Sequence, residues 1–229
     1  MTGPGVAERL QPKEPADKAA IYSSIKGIGI AAAGMQAPGR VFSHAALLYR
    51  WKNEVRMFEM RSHKELRDAP AAQAGFVWIE PAIPLERMQL VGIKARLVHQ
   101  RHKENAVPYG FKYRASSFDE KGGLRIGQGE IGFTCSTIVA AILESEQVRL
   151  LDPATWPSPD KPDKDGREAF LTELEKTDPE HVRLLRADIE APRISPEEVV
   201  AAAAIVPKVG TFENVQEGAA EVRKRIGTT

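Results

Sequence analysis

The chain has one cysteine, Cys135, in 229 residues. That excludes an intramolecular disulfide framework and any zinc site built from several thiolates. Charge of one sign is also missing: 32 basic and 31 acidic side chains leave +1 at pH 7. The global electrostatic footprint of a nucleic-acid binder is therefore absent, and no nucleic-acid partner is expected. No run of 18 apolar residues occurs, so no integral membrane segment is predicted. Residues 28–35 come nearest to an export signal, but residues 1–17 mix proline with both charges, unlike a short basic leader. The expectation is a cytoplasmic protein, or one exported by a route that does not use a Sec signal. What is present is an ordinary globular balance, 42% hydrophobic and 28% charged, which argues against wholesale disorder.

The length suits one domain or one domain with an appendage. Residues 1–17 (MTGPGVAERLQPKEPAD) are polar with three prolines and read as a flexible N-terminal arm. Residues 41–49 (VFSHAALLY) carry the clearest strand signal. A turn over 50–54 and a returning strand over 55–60 (VRMFEM) complete a predicted β-hairpin, with Val55, Met57 and Glu59 on one face. Segments 77–83 and 88–93 read as further short strands, bounded by Pro81 and Pro84. Residues 96–105 read as a helix with a basic face, and 108–132, rich in glycine and aromatics, as a long ordered loop. Thr134 then caps a helix to about 147, with Ile138, Val139, Ile142 and Leu143 on one stripe. A helix after several short strands, rather than alternating with them, points to an α+β fold. Residues 152–165 form a Pro/Asp-rich linker. Residues 166–229 form a helical C-terminal region, with helices over 167–176, 180–190, 196–206 and 215–226. The third is best marked, with Ser195 as cap, Pro196 first and Glu198 closing a capping box.

Three residues stand out chemically. Cys135 falls in the first turn of the helix after Gly132-Phe133-Thr134, where unpaired N–H groups and the macrodipole favour the thiolate and could hold an oxyanion. It also lies on the apolar stripe, where a free cysteine serves as a small core residue. His44 sits in an apolar strand and is open to a plain packing role as well. Glu59 sits on the returning strand; with the turn near 51–53, it comes out opposite or diagonal to His44 on the same face. A carboxylate there would fix the imidazole tautomer and stabilise its cation. Thiol, imidazole and carboxylate together are the kit for nucleophilic acyl transfer. Other candidates carry less. His99 and His102 lack a third ligand, so no metal site and no cofactor is expected. Gly122-Gly123 and Gly127-x-Gly129 lack the residues of a phosphate loop. His63 and His181, in charged surroundings, read as exposed, and Arg223, Lys224 and Arg225 as a solvated face.

The segments Ser-His-Ala-Ala-Leu-Leu-Tyr, Phe-Glu-Met, Pro-Tyr-Gly-Phe-Lys-Tyr and Gly-Phe-Thr-Cys-Ser-Thr-Ile-Val, in that order, resemble the circularly permuted NlpC/P60 cysteine peptidases, the YiiX/YebB-like branch of the papain-like superfamily. In that branch the histidine strand precedes the cysteine helix, as His44 and Glu59 precede Cys135 here. The resemblance covers residues 38–146 and implies a permuted papain-like domain over 18–151, its antiparallel sheet packed on the cysteine helix, with the C-terminal helices as an appendage. It implies Cys135 as nucleophile, His44 as general base and then acid, and Glu59 as the orienting group, with Glu130 and Gln128 as alternatives for the third member. Tyr109, in the segment whose aromatic lines the family's cleft, and Tyr113, Ser43 and Thr134 are the implied substrate-binding residues. Two departures stand out: Thr137 occupies a position where family members commonly carry an acid, and the insertion 119–130 makes the approach to Cys135 long and flexible. The implied activity is a cysteine peptidase or amidase acting on a peptide, a peptidoglycan fragment or a lipid-like acyl substrate. A non-catalytic binding module on the same fold, or a thiol acyltransferase with a lipid or amine acceptor, are the alternatives.

Overall fold

The hairpin expected over residues 41–60 lies at the centre of an antiparallel sheet. The computed structural model describes residues 5–11, 22–37, 40–72, 75–103, 107–113, 116–126 and 132–227. Strand β1 (Ile28–Ala37) pairs with β2 (Arg40–Trp51), which turns at Lys52 and Asn53 into β3 (Glu54–Ser62). Lys52 takes the positive φ of 54° that so tight a turn demands. Strands β4 (Glu65–Pro70) and β5 (Val77–Ile79) close the two edges, in the order β4-β3-β2-β1-β5.

Strand parity divides the side chains. Ala45, Leu47 and Tyr49 of β2, with Phe58 and Met60 of β3, belong to the main core. Ala46 and Leu48, with Val55 and Met57, pack on the other face against Tyr22, Ile25 and Phe76. A slip of one residue would exchange the two sets. Each fully buried side chain of this size is worth roughly 1.5–3 kcal/mol, so the register that sets His44 and Glu59 on one face is strongly held.

Helices cover the main-core face. Helix α2 (Leu85–His102) buries Met88, Val91, Ala95 and Val98, an i, i+3, i+7, i+10 stripe. Helix α3 (Cys135–Ser145) starts at Thr134, whose hydroxyl accepts from Thr137 N–H, and Thr137 Oγ1 accepts from Thr134 N–H at 2.8 Å. The chain ends in α4 (Lys161–Leu174), α5 (Pro179–Ala187), α6 (Pro196–Ile205) and α7 (Phe212–Ile226). The capping box of Ser195 and Glu198 is formed. Every residue of α6 from Pro196 to Ala204 is buried, because its alanines let the sheet, α3 and α7 approach on all sides.

Several expectations are corrected. Residues 88–93 are not a strand but the middle of α2, whose helical stripe outweighs the β-branched Val91 and Ile93. The edge strand β4 has no counterpart among the expected elements, since Glu65, Arg67 and Asp68 leave it no apolar alternation. The 108–132 stretch holds a small hairpin of β6 (Ser116–Phe118) and β7 (Leu124–Ile126). The turn between them is fixed by the Asp119 carboxylate, which accepts from Lys121 and Gly123 N–H. The supposed linker 152–165 already contains the first turn of α4, capped by Asp160. The arm is partly docked: α1 (Val6–Arg9) leads to a buried Leu10, and Gln11 N–H donates to Trp78 O at 2.8 Å. Helices α6 and α7 share one hydrophobic core with the sheet, α2 and α3, so the line drawn at 151/152 runs through that core. No helix among the described residues is long and apolar enough to cross a membrane.

Candidate active site

The recorded β2–β3 pairing ends at Leu47↔Phe58. Carried one step on, it sets Ala46 beside Glu59, so His44 and Glu59 are diagonal neighbours on one face. His44 Nε2 lies 2.8 Å from Glu59 Oε2, with His44 5% and Glu59 2% exposed. The N-terminus of α3 arrives at the same place. The Cys135 thiol and the His44 imidazole are hydrogen-bond partners, and the N–H groups of Ala45 and Ser136 point at the sulfur. Because Nε2 is committed to Glu59, Nδ1 is the ring nitrogen left for the thiol.

The electrostatics follow from this arrangement. Burial opposes the His44 cation, but hydrogen bonds and charge from Cys135 and Glu59 prevail and push its pKa from 6.5 up to about 9. Burial likewise opposes the Cys135 thiolate, yet the His44 hydrogen bond and charge, with the two backbone donors, bring the thiol below its ordinary value. Glu59 is held below the usual carboxylate value: burial works against ionisation, and His44 and Arg67 outweigh it. Arg67 Nη1, on β4, is 3.2 Å from Glu59 Oε1. The group thus favours a thiolate beside an imidazolium, anchored by a carboxylate.

The sulfur opens into a cleft of about 370 Å³. One wall is aromatic: Tyr109, Phe111 and Phe170, with the Tyr109 and Phe170 rings 4.5 Å apart. Phe42, Ser43 and Met60 of the strands line it as well. Tyr109 is placed by a parallel bridge to Phe133, two residues before the cysteine. Gly110 N–H donates to Phe133 O at 3.0 Å, and Phe133 N–H to Pro108 O at 3.1 Å. The two segments touch backbone to backbone: a Cβ on Gly110 would meet Gly132 C at 2.6 Å, and Gly132 has φ 137°.

No protein-family model, curated protein or solved structure matches the chain.

The residues singled out in the sequence divide as follows. Cys135, His44 and Glu59 meet. Ser43, Thr134 and Tyr109 line the cleft, but the first two hydroxyls are engaged. Ser43 Oγ donates to Glu197 Oε2 at 3.1 Å, and Thr134 Oγ1 caps α3. Tyr113 is corrected: it is a core residue, buried among the aliphatic side chains, with its hydroxyl on Glu144 at 3.2 Å. Gln128 and Glu130 lie outside the described residues. His102 accepts from Leu124 N–H at 3.1 Å, which ties α2 to the β6–β7 hairpin. Among the described residues no group of His, Cys, Asp and Glu is placed to hold a metal ion.

Sequence reasoning missed the aromatic partners Phe111 and Phe170, and the Arg193–Asp163 ion pair at the cleft mouth. It also missed His63 and His181, which are not exposed. Their rings lie 4.4 Å apart, behind Tyr109. Their ring partners are more than 40 residues away in the chain, so no local pattern announces them.

Proposed function

We propose that the protein is a cysteine hydrolase of the permuted papain-like kind, cleaving an amide or ester bond through an acyl-enzyme on Cys135. The observation that carries this reading is the His44 imidazole, held by Glu59 on one nitrogen and turned to a helix-N-terminal thiol on the other. The chain order of His44, Glu59 and Cys135, in the segments that resemble permuted NlpC/P60 peptidases, supports it further.

In this mechanism the Cys135 thiolate attacks the substrate carbonyl carbon, forming the C–S bond and a tetrahedral oxyanion. Cys135 N–H, at the first position of α3, is one of the donors that a helix start leaves unpaired and would serve that oxyanion. The His44 imidazolium gives its proton to the leaving nitrogen or oxygen as the scissile bond breaks. Neutral His44 then takes a proton from water, the hydroxide attacks the thioester, and the carboxylic acid leaves as the thiolate is restored. Glu59 stays ionised throughout and holds the ring in place.

The test is alkylation of Cys135 by iodoacetamide against pH in native protein, beside hydrolysis of a panel of peptide amides and acyl esters. The expected result is an inflection well below the ordinary thiol value of about 8.5, moved upward in His44→Ala, and hydrolysis abolished in Cys135→Ala. A thiol silent until unfolding would make Cys135 a packing residue and overturn the reading. Acyl transfer to added amines in preference to water would assign the acyl-enzyme to a transferase.

A further inference from the structure

Tyr109, the cleft aromatic bridged to Phe133 just before the cysteine helix, is gripped by two histidines on its backbone. Its N–H donates to His63 Nδ1 at 3.2 Å, and its carbonyl oxygen accepts from His181 Nε2 at 2.7 Å. Asp178 completes the arrangement. As N-cap of α5 its Oδ1 accepts from His181 N–H at 3.1 Å, while its Oδ2 lies 3.2 Å from His63 Nε2 and also takes Lys64 Nζ. Three elements meet here: the turn between β3 and β4, the start of α5, and the segment leading to Gly110.

These bonds fix the protonation states. His63 must be neutral with the proton on Nε2, because Nδ1 accepts from Tyr109 and Nε2 faces a carboxylate. His181 must carry a proton on Nε2. A proton added to His63 Nδ1 would set two N–H groups against each other and leave the Tyr109 amide without its acceptor.

We propose that His63, His181 and Asp178 form a proton-operated clasp on Tyr109 that positions the aromatic wall of the cleft, and that protonation of His63 releases it. His63 and His181 are positioning residues that act through Tyr109. Helices α4 and α5 make the release consequential. Leu171, Leu174, Val182 and Leu185 form a small core with Phe111, apart from the main one, so this helical pair is joined to the cleft wall that the clasp holds.

The groups facing His63 are Asp178 and His181 from α5, and Lys64 beside it; those facing His181 are Asp178, Lys64 and the Tyr109 carbonyl. Burial is the largest influence and lowers both histidines below 6.5; for His63, His181 and Lys64 add to the lowering and Asp178 only partly offsets it. The clasp is therefore closed at neutral pH. It opens as pH falls through the folded-state value of His63, below 6.5.

The clasp is tested on the native full chain by nuclear magnetic resonance, following the His63 ring and the Tyr109 amide from pH 8 to 5. The expected result is one shared midpoint below 6.5. On the acid side, amide exchange corrected for its intrinsic pH dependence rises about fivefold, what loss of one neutral hydrogen bond gives. His63→Asn, whose amide oxygen replaces Nδ1 without titrating, should keep the Tyr109 bond and abolish the midpoint. His63→Leu should show the fast exchange at every pH. A Tyr109 amide that ignores the His63 titration overturns the proposal, even if the leucine variant fails to fold.

The link to turnover rests on the hydrolase reading. There His63→Leu should raise KM several-fold and leave the Cys135 alkylation inflection where it was, with rescue by His63→Asn. A following amide with an inert Cys135 would sink the hydrolase and keep the clasp. A reactive Cys135 with an indifferent amide would do the reverse.

Discussion

Arg67 of the edge strand sits 3.2 Å from Oε1 of Glu59, the carboxylate whose other oxygen holds His44. The buried carboxylate is therefore met by cations at both ends. Arg67 is 40% exposed at its side chain, so solvent screens the pair and its worth is no more than about 1 kcal/mol. Arg67→Met should lower turnover only a few-fold. A fall as large as that of Glu59→Gln, in kcat/KM measured on the same substrate, would show that Arg67 touches the reacting groups directly.

Glu59→Gln keeps an oxygen for His44 Nε2–H but removes the negative charge that stabilises the imidazolium. The charge-separated pair exists above the lowered value of Cys135 and below the raised value of His44, about 9. Activity should therefore fall as pH rises through about 9, where His44 loses the proton it must donate. In Glu59→Gln that alkaline limb should move to lower pH by about one unit, a loss of about twofold at pH 8 that approaches tenfold above pH 9. The pH profile of kcat/KM decides it; an unmoved limb would deny Glu59 its electrostatic role.

The crossing of Gly110 and Gly132 admits no side chain. A Cβ on Gly132 would meet Pro108 O at 1.9 Å, in a backbone conformation that L side chains rarely adopt. Gly132→Ala should cost roughly 2–4 kcal/mol from strain and overpacking together, read as a lower urea midpoint at unchanged slope. A stability loss under about 1 kcal/mol would mean that the two segments part easily.

Thr134→Ala removes the oxygen that accepts Thr137 N–H at the start of α3 and should cost about 1 kcal/mol. Thr134→Ser should recover most of it. Chemical denaturation of the three proteins measures the difference.

The trio of Cys135, His44 and Glu59 was legible because each member obeys a local rule. Strand parity placed His44 and Glu59 on one face, the hairpin length made them diagonal, and a threonine cap put Cys135 at a helix start. Thr137, noted as a departure, turns out to close the capping box with its hydroxyl. The cleft was less legible, because its walls come from segments far apart in the chain. Tyr113 has the same aromatic surroundings as Tyr109 in sequence, yet points into the core. His63 and His181 looked solvated since their neighbours are charged; only the approach of α5 to the β3–β4 turn reveals their partners. Helix α2 was half read as strand because the β-branched Val91 and Ile93 masked a stripe that runs on to Val98. Helix α6 was read as part of an appendage, yet beyond Glu197 and Glu198 in its first turn it is apolar on every face, the pattern of a buried helix and so of a segment that completes the core.

That last point bears on the order of assembly. Ser43, next to His44, donates to Glu197 across 154 residues of chain, and α6 lies against β1 and β2. Contacts so distant in sequence close late. On the ribosome, α2 and α3 can cover their share of β2 first, but the part of β1 and β2 that α6 packs against stays open until that segment has emerged. Apolar sheet that waits for its last helix is a site for aggregation during translation.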